Sequence, residues 1–384
     1  MPIRTGVIGT GNRMTRLCAT IDGNEEVGAA FEFVALCDTD PERIAGFQET
    51  VASASDAEAF SDHREMLQGT ETDLIFVGTP NYLHREQAVA AMEAGKDVFC
   101  EKPLATTIDD LEAIYRTHQR TGQLFMTGFE LHYTPLFRRF REIIDSGVLG
   151  DVISVESNET LEFCHGAYLL MHPWRRYTKF SGGHLLEKCS HDIDLLNFVA
   201  GGLPARVSSF GGRNFFVPEN AHRIEEIGLS EDGRQPYRDA AYGVTAFESD
   251  ADVVDNQVCL IEYDNGVRAC HHTNRNAGIP ERRMHVFGAE GGLRMDFTTN
   301  EIEWARIGFN ENRHKETISA GGGHGGGDIG IVKQLIRSVR TGEPPEVGCR
   351  EGFLSIATAL VLERARRKGE VVEMEPVWER FDLM

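Results

Sequence analysis

Ile3-Arg4-Thr5-Gly6-Val7-Ile8-Gly9-Thr10-Gly11-Asn12-Arg13-Met14 opens the chain with a short apolar run that ends in a glycine turn. Between a strand and a helix, such a turn lets backbone N–H groups approach a pyrophosphate, and the helix N-terminus adds positive potential. A second apolar run, Phe33 to Cys37, stops on Asp38, where an acid can accept hydrogen bonds from the adenosine ribose hydroxyls. Further on, Val98-Phe99-Cys100 runs into Glu101-Lys102-Pro103. Together these stretches announce a dinucleotide site. Gly9, Thr10, Gly11, Asn12, Arg13 and Met14 form the phosphate turn, where mostly backbone groups work. The charge on Asp38 repels a 2′-phosphate and so favours NAD over NADP, although Arg43 is close by.

Outward from that turn, the first third alternates buried strands with amphipathic helices. Asp40 and Pro41 read as N-cap and first helical residue. Ser61 is the expected cap of a short helix through Leu67, and Thr107 with Asp110 makes a capping box for a helix stopped by Gly122. Alternating β and α with short connections means a parallel sheet covered on both faces. After Gly128 strand-like pieces dominate, seven between Val152 and Ile307, with hairpin signals at Asp264-Asn265-Gly266 and Glu290-Gly291-Gly292. That pattern predicts a mostly antiparallel sheet open on at least one face. Within it, 214–252 carries nine acids against three arginines with little periodicity, and reads as a long surface loop or lid, the alternative being a small independent unit. Two helices over 329–368 close the chain. The expected domains are 1–127, binding the dinucleotide, and 128–384, binding substrate and forming oligomers.

Composition narrows the function. A net charge of −21 argues against nucleic acid and anionic membrane as partners. No apolar run is long enough to span a bilayer, and because Met1-Pro2-Ile3-Arg4 leads straight into a strand, no signal peptide is expected. Eight cysteines without a C-x-x-C pair indicate neither a disulfide framework nor a structural zinc site, so a reducing cytoplasm is expected.

Five stretches, in this order, resemble the glucose–fructose oxidoreductase/inositol dehydrogenase/MocA family of NAD(P)-dependent oxidoreductases. They are Gly9–Met14; Thr79-Pro80-Asn81 with His84; Glu101-Lys102-Pro103; Ser181-Gly182-Gly183 leading to His191-Asp192-Ile193-Asp194; and His324-Gly325-Gly326-Gly327-Asp328. The resemblance implies an N-terminal Rossmann domain, a C-terminal α/β domain with a large open sheet, and a homodimer or homotetramer built on that sheet. It also implies that Lys102 and His191 flank the substrate carbon beside the nicotinamide of NAD. The chain departs from the family where Met14 replaces the third glycine of the turn, and where Glu187 stands one helical turn before His191 in place of the usual Asp, with Lys188 following.

Catalytic candidates are therefore Lys102, His191, Glu187 and Lys188. A lysine serves as base if burial or a neighbouring cation lowers its pKa; the plain alternative is a surface lysine paired with Glu101. Glu187, His191 and Asp194 share one helix face, which ordinary capping charges and a core histidine would also explain. Thr79, Pro80 and Asn81 line the nicotinamide ribose or form a plain turn, and His84 contacts the cofactor or caps the next helix. Tyr168, Trp174 and Arg175, with His165 and His172, make an aromatic and polar cluster suited to a sugar ring, or a buried aromatic loop. His132 and His324 are further substrate candidates, the rival for His324 being a flexible linker capped by Asp328. No i, i+4 histidine pair supports a metal. The expected activity is oxidation of a ring secondary alcohol of a sugar, sugar acid or cyclic polyol. Its rivals are glycoside hydrolysis or elimination through transient oxidation, and a non-catalytic nucleotide-dependent sugar sensor.

Overall fold

The computed structural model describes residues 1–239, 241–309, 312–319 and 321–383. Two compact units emerge: Met1–Arg138 with Ala320–Phe353, and Arg139–Ser319 with Leu354–Met384. This differs from a single boundary after residue 127. The segment 128–138 and the first closing helix belong with the first unit because glycines bring them together. A Cβ on Gly327 would lie 2.4 Å from the Glu130 carbonyl oxygen, and one on Gly330 2.6 Å from Tyr133 Cβ.

The first unit runs β1 (Ile3–Ile8), α1 (Asn12–Asp22), β2 (Phe31–Cys37), α2 (Pro41–Thr50), β3 (Glu58–Phe60), α3 (His63–Gly69), β4 (Leu74–Val77), α4 (His84–Glu93), β5 (Asp97–Cys100), α5 (Ile108–Thr121) and β6 (Phe125–Thr127). All six strands are parallel, in the order β3-β2-β1-β4-β5-β6. Strand order reverses between β1 and β4, and in such sheets ligands bind outside the carboxyl ends at that point. Local chemistry sets the helix starts. Asp40 accepts from Glu42 N–H, and Thr107 caps Asp110 N–H. The third helix is capped by Asp62 rather than Ser61: its carboxylate accepts from Arg64 N–H at 2.7 Å.

In the second unit α6 (Pro135–Asp145), which begins in the first, leads to β7 (Val152–Glu162), α7 (Phe163–Met171), α8 (Thr178–Ser181), α9 (His184–Ala200), β8 (Pro204–Gly212) and α10 (Arg223–Ile227). Then come β9 (Asn256–Tyr263), β10 (Arg268–Ala277), β11 (Glu281–Gly288), β12 (Gly291–Asp296), β13 (Glu301–Arg306) and β14 (His314–Thr317). The chain returns to the first unit with α11 (Gly327–Thr341) and the start of α12 (Cys349–Lys368), then ends in the second with β15 (Val372–Glu373) and α13 (Glu375–Trp378). Nine strands pair in the order β14-β13-β12-β11-β7-β10-β9-β8-β15, antiparallel except for β7 beside β10. Val155, Ala269, Ile261 and Val286 are buried on one face. The opposite face exposes Phe210, Val258, Leu260 and Phe287, with Phe210 directly opposite Val258.

The segment 214–252, expected as a surface loop or lid, packs a core of its own. Phe216, Tyr237, Ala246 and Phe247 are buried against Ala167, Leu170 and Met171 of α7. The Asp255 carboxylate accepts from the N–H groups of Asn214, Phe215 and Phe216, and Arg213 donates to the carbonyls of Ala246, Ser249 and Ala251. Among the described residues no helix is long and apolar enough to cross a membrane.

Candidate active site

Gly9 follows β1 at φ +91°, where a Cβ would lie 2.7 Å from Thr79 N, so the glycine turn and the β4 turn touch through backbone. Over Gly11 a Cβ would meet nothing within 4 Å, leaving the open cradle a pyrophosphate requires. Asp38, just past β2, is tied to this turn: its Oδ2 accepts from Thr10 N at 3.0 Å and from Thr10 Oγ1 at 3.3 Å. Arg43 lies 3.4 Å from Asp40, so its charge has a local partner. The residues present therefore fit a dinucleotide with a free adenosine ribose.

Met14 is fully buried at the position of the missing third glycine. The space is recovered on the strand side: a Cβ on Gly78 would lie 2.6 Å from Met14 Cε and 3.3 Å from Met14 Cβ. A glycine after β4 thus replaces a glycine on α1.

Thr79-Pro80-Asn81 follows β4, and Glu101-Lys102-Pro103 follows β5 with a cis Lys102–Pro103 bond. His84, buried as the first residue of α4, has its ring nitrogens 2.8 Å from the Thr79 and Pro103 carbonyl oxygens. It thereby bolts both turns together.

The Arg13 side chain turns into the protein. Nε donates to Glu101 Oε1 at 2.8 Å and a terminal nitrogen to Asp328 Oδ1 at 2.9 Å, with Glu130 at 3.9 Å. His324 Nδ1 lies 3.2 Å from the same Asp328 oxygen, and its Nε2 3.5 Å from Glu130. Burial pushes the Asp328 carboxyl up, but hydrogen bonds and charge from His324 and Arg13 outweigh it and hold the pKa at about 2. Asp328 does not cap α11; Gly326 occupies that position without a side-chain bond. His132 is buried with its ring edge-on to Phe137 at 5.1 Å.

On the second unit, Glu187 and His191 lie one turn apart on α9, both buried. Glu187 Oε1 is 2.8 Å from Arg175 Nε, and Arg175 stacks over Trp174 at 4.9 Å. Lys188 diverges from them: its Nζ lies 3.2 Å from Glu159 Oε1 on β7. Arg282 sits 3.6 Å from the same oxygen and grips Asp192 with two hydrogen bonds of 2.9 and 2.8 Å. Burial works to raise the Glu159 carboxyl, but Arg282 and Lys188 outweigh it and hold it below the usual carboxylate range. Tyr168 is joined by His172 (5.5 Å) and by Tyr242 (5.8 Å), whose hydroxyl is 3.3 Å from that of Tyr168. Tyr242 comes from the 214–252 segment, where no motif in the sequence marks it as part of this cluster. His165, pushed down to about 4 by burial, and His184, bonded to Thr273 Oγ1 at 2.8 Å, have separate environments. Two acid-rich groups have the makings of ligand sets, Glu130–His324–Asp328 and Glu159–Cys189–Asp192, yet Arg13 and Arg282 already supply the positive charge in each.

The sequence profile of the oxidoreductase family with NAD-binding Rossmann fold matches residues 3–129, and that of the family's C-terminal alpha/beta domain matches 141–374. The 1,5-anhydro-D-fructose reductase of Ensifer adhaerens is 25% identical over 359 residues, spanning 90% of this chain and 91% of the relative. The 2,7-anhydro-N-acetylneuraminate hydratase of Mediterraneibacter gnavus is 32% identical over 190 residues, 48% of this chain and 46% of that one. Levoglucosan dehydrogenase, solved in complex with NADH and levoglucosan, shares the fold at a TM-score of 0.78 and 20% identity, covering 97% of this chain and 99% of the other.

Proposed function

The chain belongs to the Gfo/Idh/MocA oxidoreductase family and binds NAD through its Rossmann domain, and from that premise we propose that it oxidises a ring secondary alcohol of a sugar, sugar acid or cyclic polyol. The observation that carries this reading is an open glycine turn on the same sheet edge as Lys102, which follows the carboxyl end of β5. NAD supplies the acceptor for the hydrogen that leaves the alcohol carbon with its bonding pair. Backbone amides of Gly9 to Met14 bind the pyrophosphate, and Asp38 holds the adenosine ribose and disfavours a 2′-phosphate. Thr79, Pro80, Asn81 and Glu101 serve the nicotinamide end, with His84 fixing their turns. Lys102 takes the hydroxyl proton, and His191, with Glu187 on the same helix face, holds the hydroxyl and relays that proton. Tyr168, Trp174 and Arg175 offer the ring an aromatic face with hydrogen-bonding tips, and His132 adds a polar contact, while His324 turns its ring nitrogens to Asp328 and Glu130. Lys188, given to Glu159, ties α9 to β7.

A second reading is favoured by the hydratase relative: a redox-neutral reaction at the same groups, in which oxidation of the ring is transient and no NADH accumulates. Absorbance at the NADH band across neutral sugars, uronic acids, inositols and anhydro sugars, with product analysis for each, separates the two. Substrate loss with stoichiometric NADH supports the dehydrogenase, loss without NADH the redox-neutral reading, and no turnover of any ring alcohol contradicts both.

For assembly, the exposed Phe210, Val258, Leu260 and Phe287 favour a homodimer or homotetramer through the open sheet face. Eight free cysteines suit a reducing cytoplasm.

A further inference from the structure

We propose that Asp328 and His324 are positioning residues for the cofactor turn, acting through Arg13 on Glu101 and on the start of α1. Arg13 is the second residue of α1, directly after the glycine turn. One guanidinium joins the end of β5, through Glu101 at 2.8 Å, to the start of α11, through Asp328 at 2.9 Å. The two contacts hold the guanidinium through two of its nitrogens, so its donors stay off the phosphate turn and Glu101 keeps one orientation beside Lys102.

The arrangement is costly for a mere connection. Side chains of Glu101, Glu130 and Asp328 are only 8%, 3% and 5% exposed, and these three buried carboxylates gather around the Arg13 guanidinium and His324. Backbone strain is added to this. His324 sits at φ 47° and ψ 45° among glycines, a left-handed conformation unfavourable to any residue with a Cβ. A Cβ on Gly323 would lie 2.1 Å from Asp328 Oδ2, so the loop is wrapped around that carboxylate. His324 completes the enclosure, with Nδ1 3.2 Å from both Asp328 oxygens and Nε2 towards Glu130. A segment more than three hundred residues away in sequence thereby sets the geometry of the nucleotide turn.

The test is an NADH titration by fluorescence, with the melting temperature of the cofactor-free protein measured in parallel. Asp328→Asn keeps the shape but not the charge, and should weaken NADH binding about 5- to 20-fold. Arg13→Lys keeps the charge but lacks the fork that reaches both carboxylates, and should weaken it similarly. The double variant should bind no more weakly than the worse single one, because both break the same link. His324→Ala, at a half-exposed position, removes no buried carboxylate and should give a smaller loss, about 2- to 5-fold. Unchanged or tighter NADH binding by folded Asp328→Asn overturns the proposal, as do additive losses in the double variant. Should Asp328→Asn fail to fold, unchanged NADH affinity in His324→Ala overturns it alone.

Discussion

Gly78→Ala tests whether the glycine after β4 truly stands in for the one missing from α1. The added methyl would lie 2.6 Å from Met14 Cε and 3.3 Å from Met14 Cβ. The methionine tip can swing, but Met14 is fully buried and its Cβ is fixed by the helix, so overpacking should cost about 1–3 kcal/mol. Met14→Ala alone opens a cavity and should cost about 2–5 kcal/mol. The double variant refills part of that cavity, so its cost should fall short of the sum by about 1–2 kcal/mol. Urea denaturation of all four proteins without cofactor, followed by NADH titration, measures both the packing and its effect on the turn. Additivity within about 0.5 kcal/mol, or a harmless Gly78→Ala, would refute the exchange of glycines.

Three further expectations follow from the same geometry. Asp38→Ser removes the charge beside Thr10 and should narrow the preference for NAD over NADP; calorimetry showing NADP bound as well by the unmodified protein would defeat that role. The Asp328 pKa is depressed from 3.8 to about 2 on folding, so its contribution is complete above pH 4 and lost between about pH 4 and pH 2. Asp328→Asn should therefore flatten the decline of the unfolding free energy, measured by urea denaturation over that range, by about 2 kcal/mol, and an unaltered decline would exclude the ion pair. Light scattering at micromolar concentration should give two or four chains, and Leu260→Lys on the open sheet face should lower that number; a single-chain mass before mutation contradicts the proposed assembly.

What was legible in the sequence was local chemistry. Asp40 with Pro41 and Thr107 with Asp110 open their helices as read, because caps depend on neighbours within four residues. The hairpin signals at Asp264-Asn265-Gly266 and Glu290-Gly291-Gly292 likewise marked antiparallel pairs of the second sheet, β9 with β10 and β11 with β12. Long-range solutions were hidden. Nothing near Met14 points to Gly78, and Arg13 looks like a phosphate ligand until Glu101 and Asp328 are brought beside it. Phe215, Phe216, Tyr237 and Phe247 follow no helical or strand period, so their clustering was masked by the acids between them. Helix α7 escaped notice because Gly166, which weakens the helical pattern, is needed for backbone approach: a Cβ there would lie 1.8 Å from the Arg275 carbonyl oxygen. Strand β14, His314–Thr317, lies at the sheet edge and has no apolar residue.

The most direct test is turnover by Lys102→Ala on whichever ring alcohol the wild-type protein consumes. If Lys102 removes the hydroxyl proton, NADH binding should remain nearly unchanged while kcat falls about 10²–10⁴-fold, and Lys102→Arg should fare little better. Wild-type activity should rise with pH as the lysine deprotonates, and that rise should vanish in Lys102→Ala. Near-normal turnover by Lys102→Ala, with the pH profile intact, would contradict the assignment and send the proton by another route.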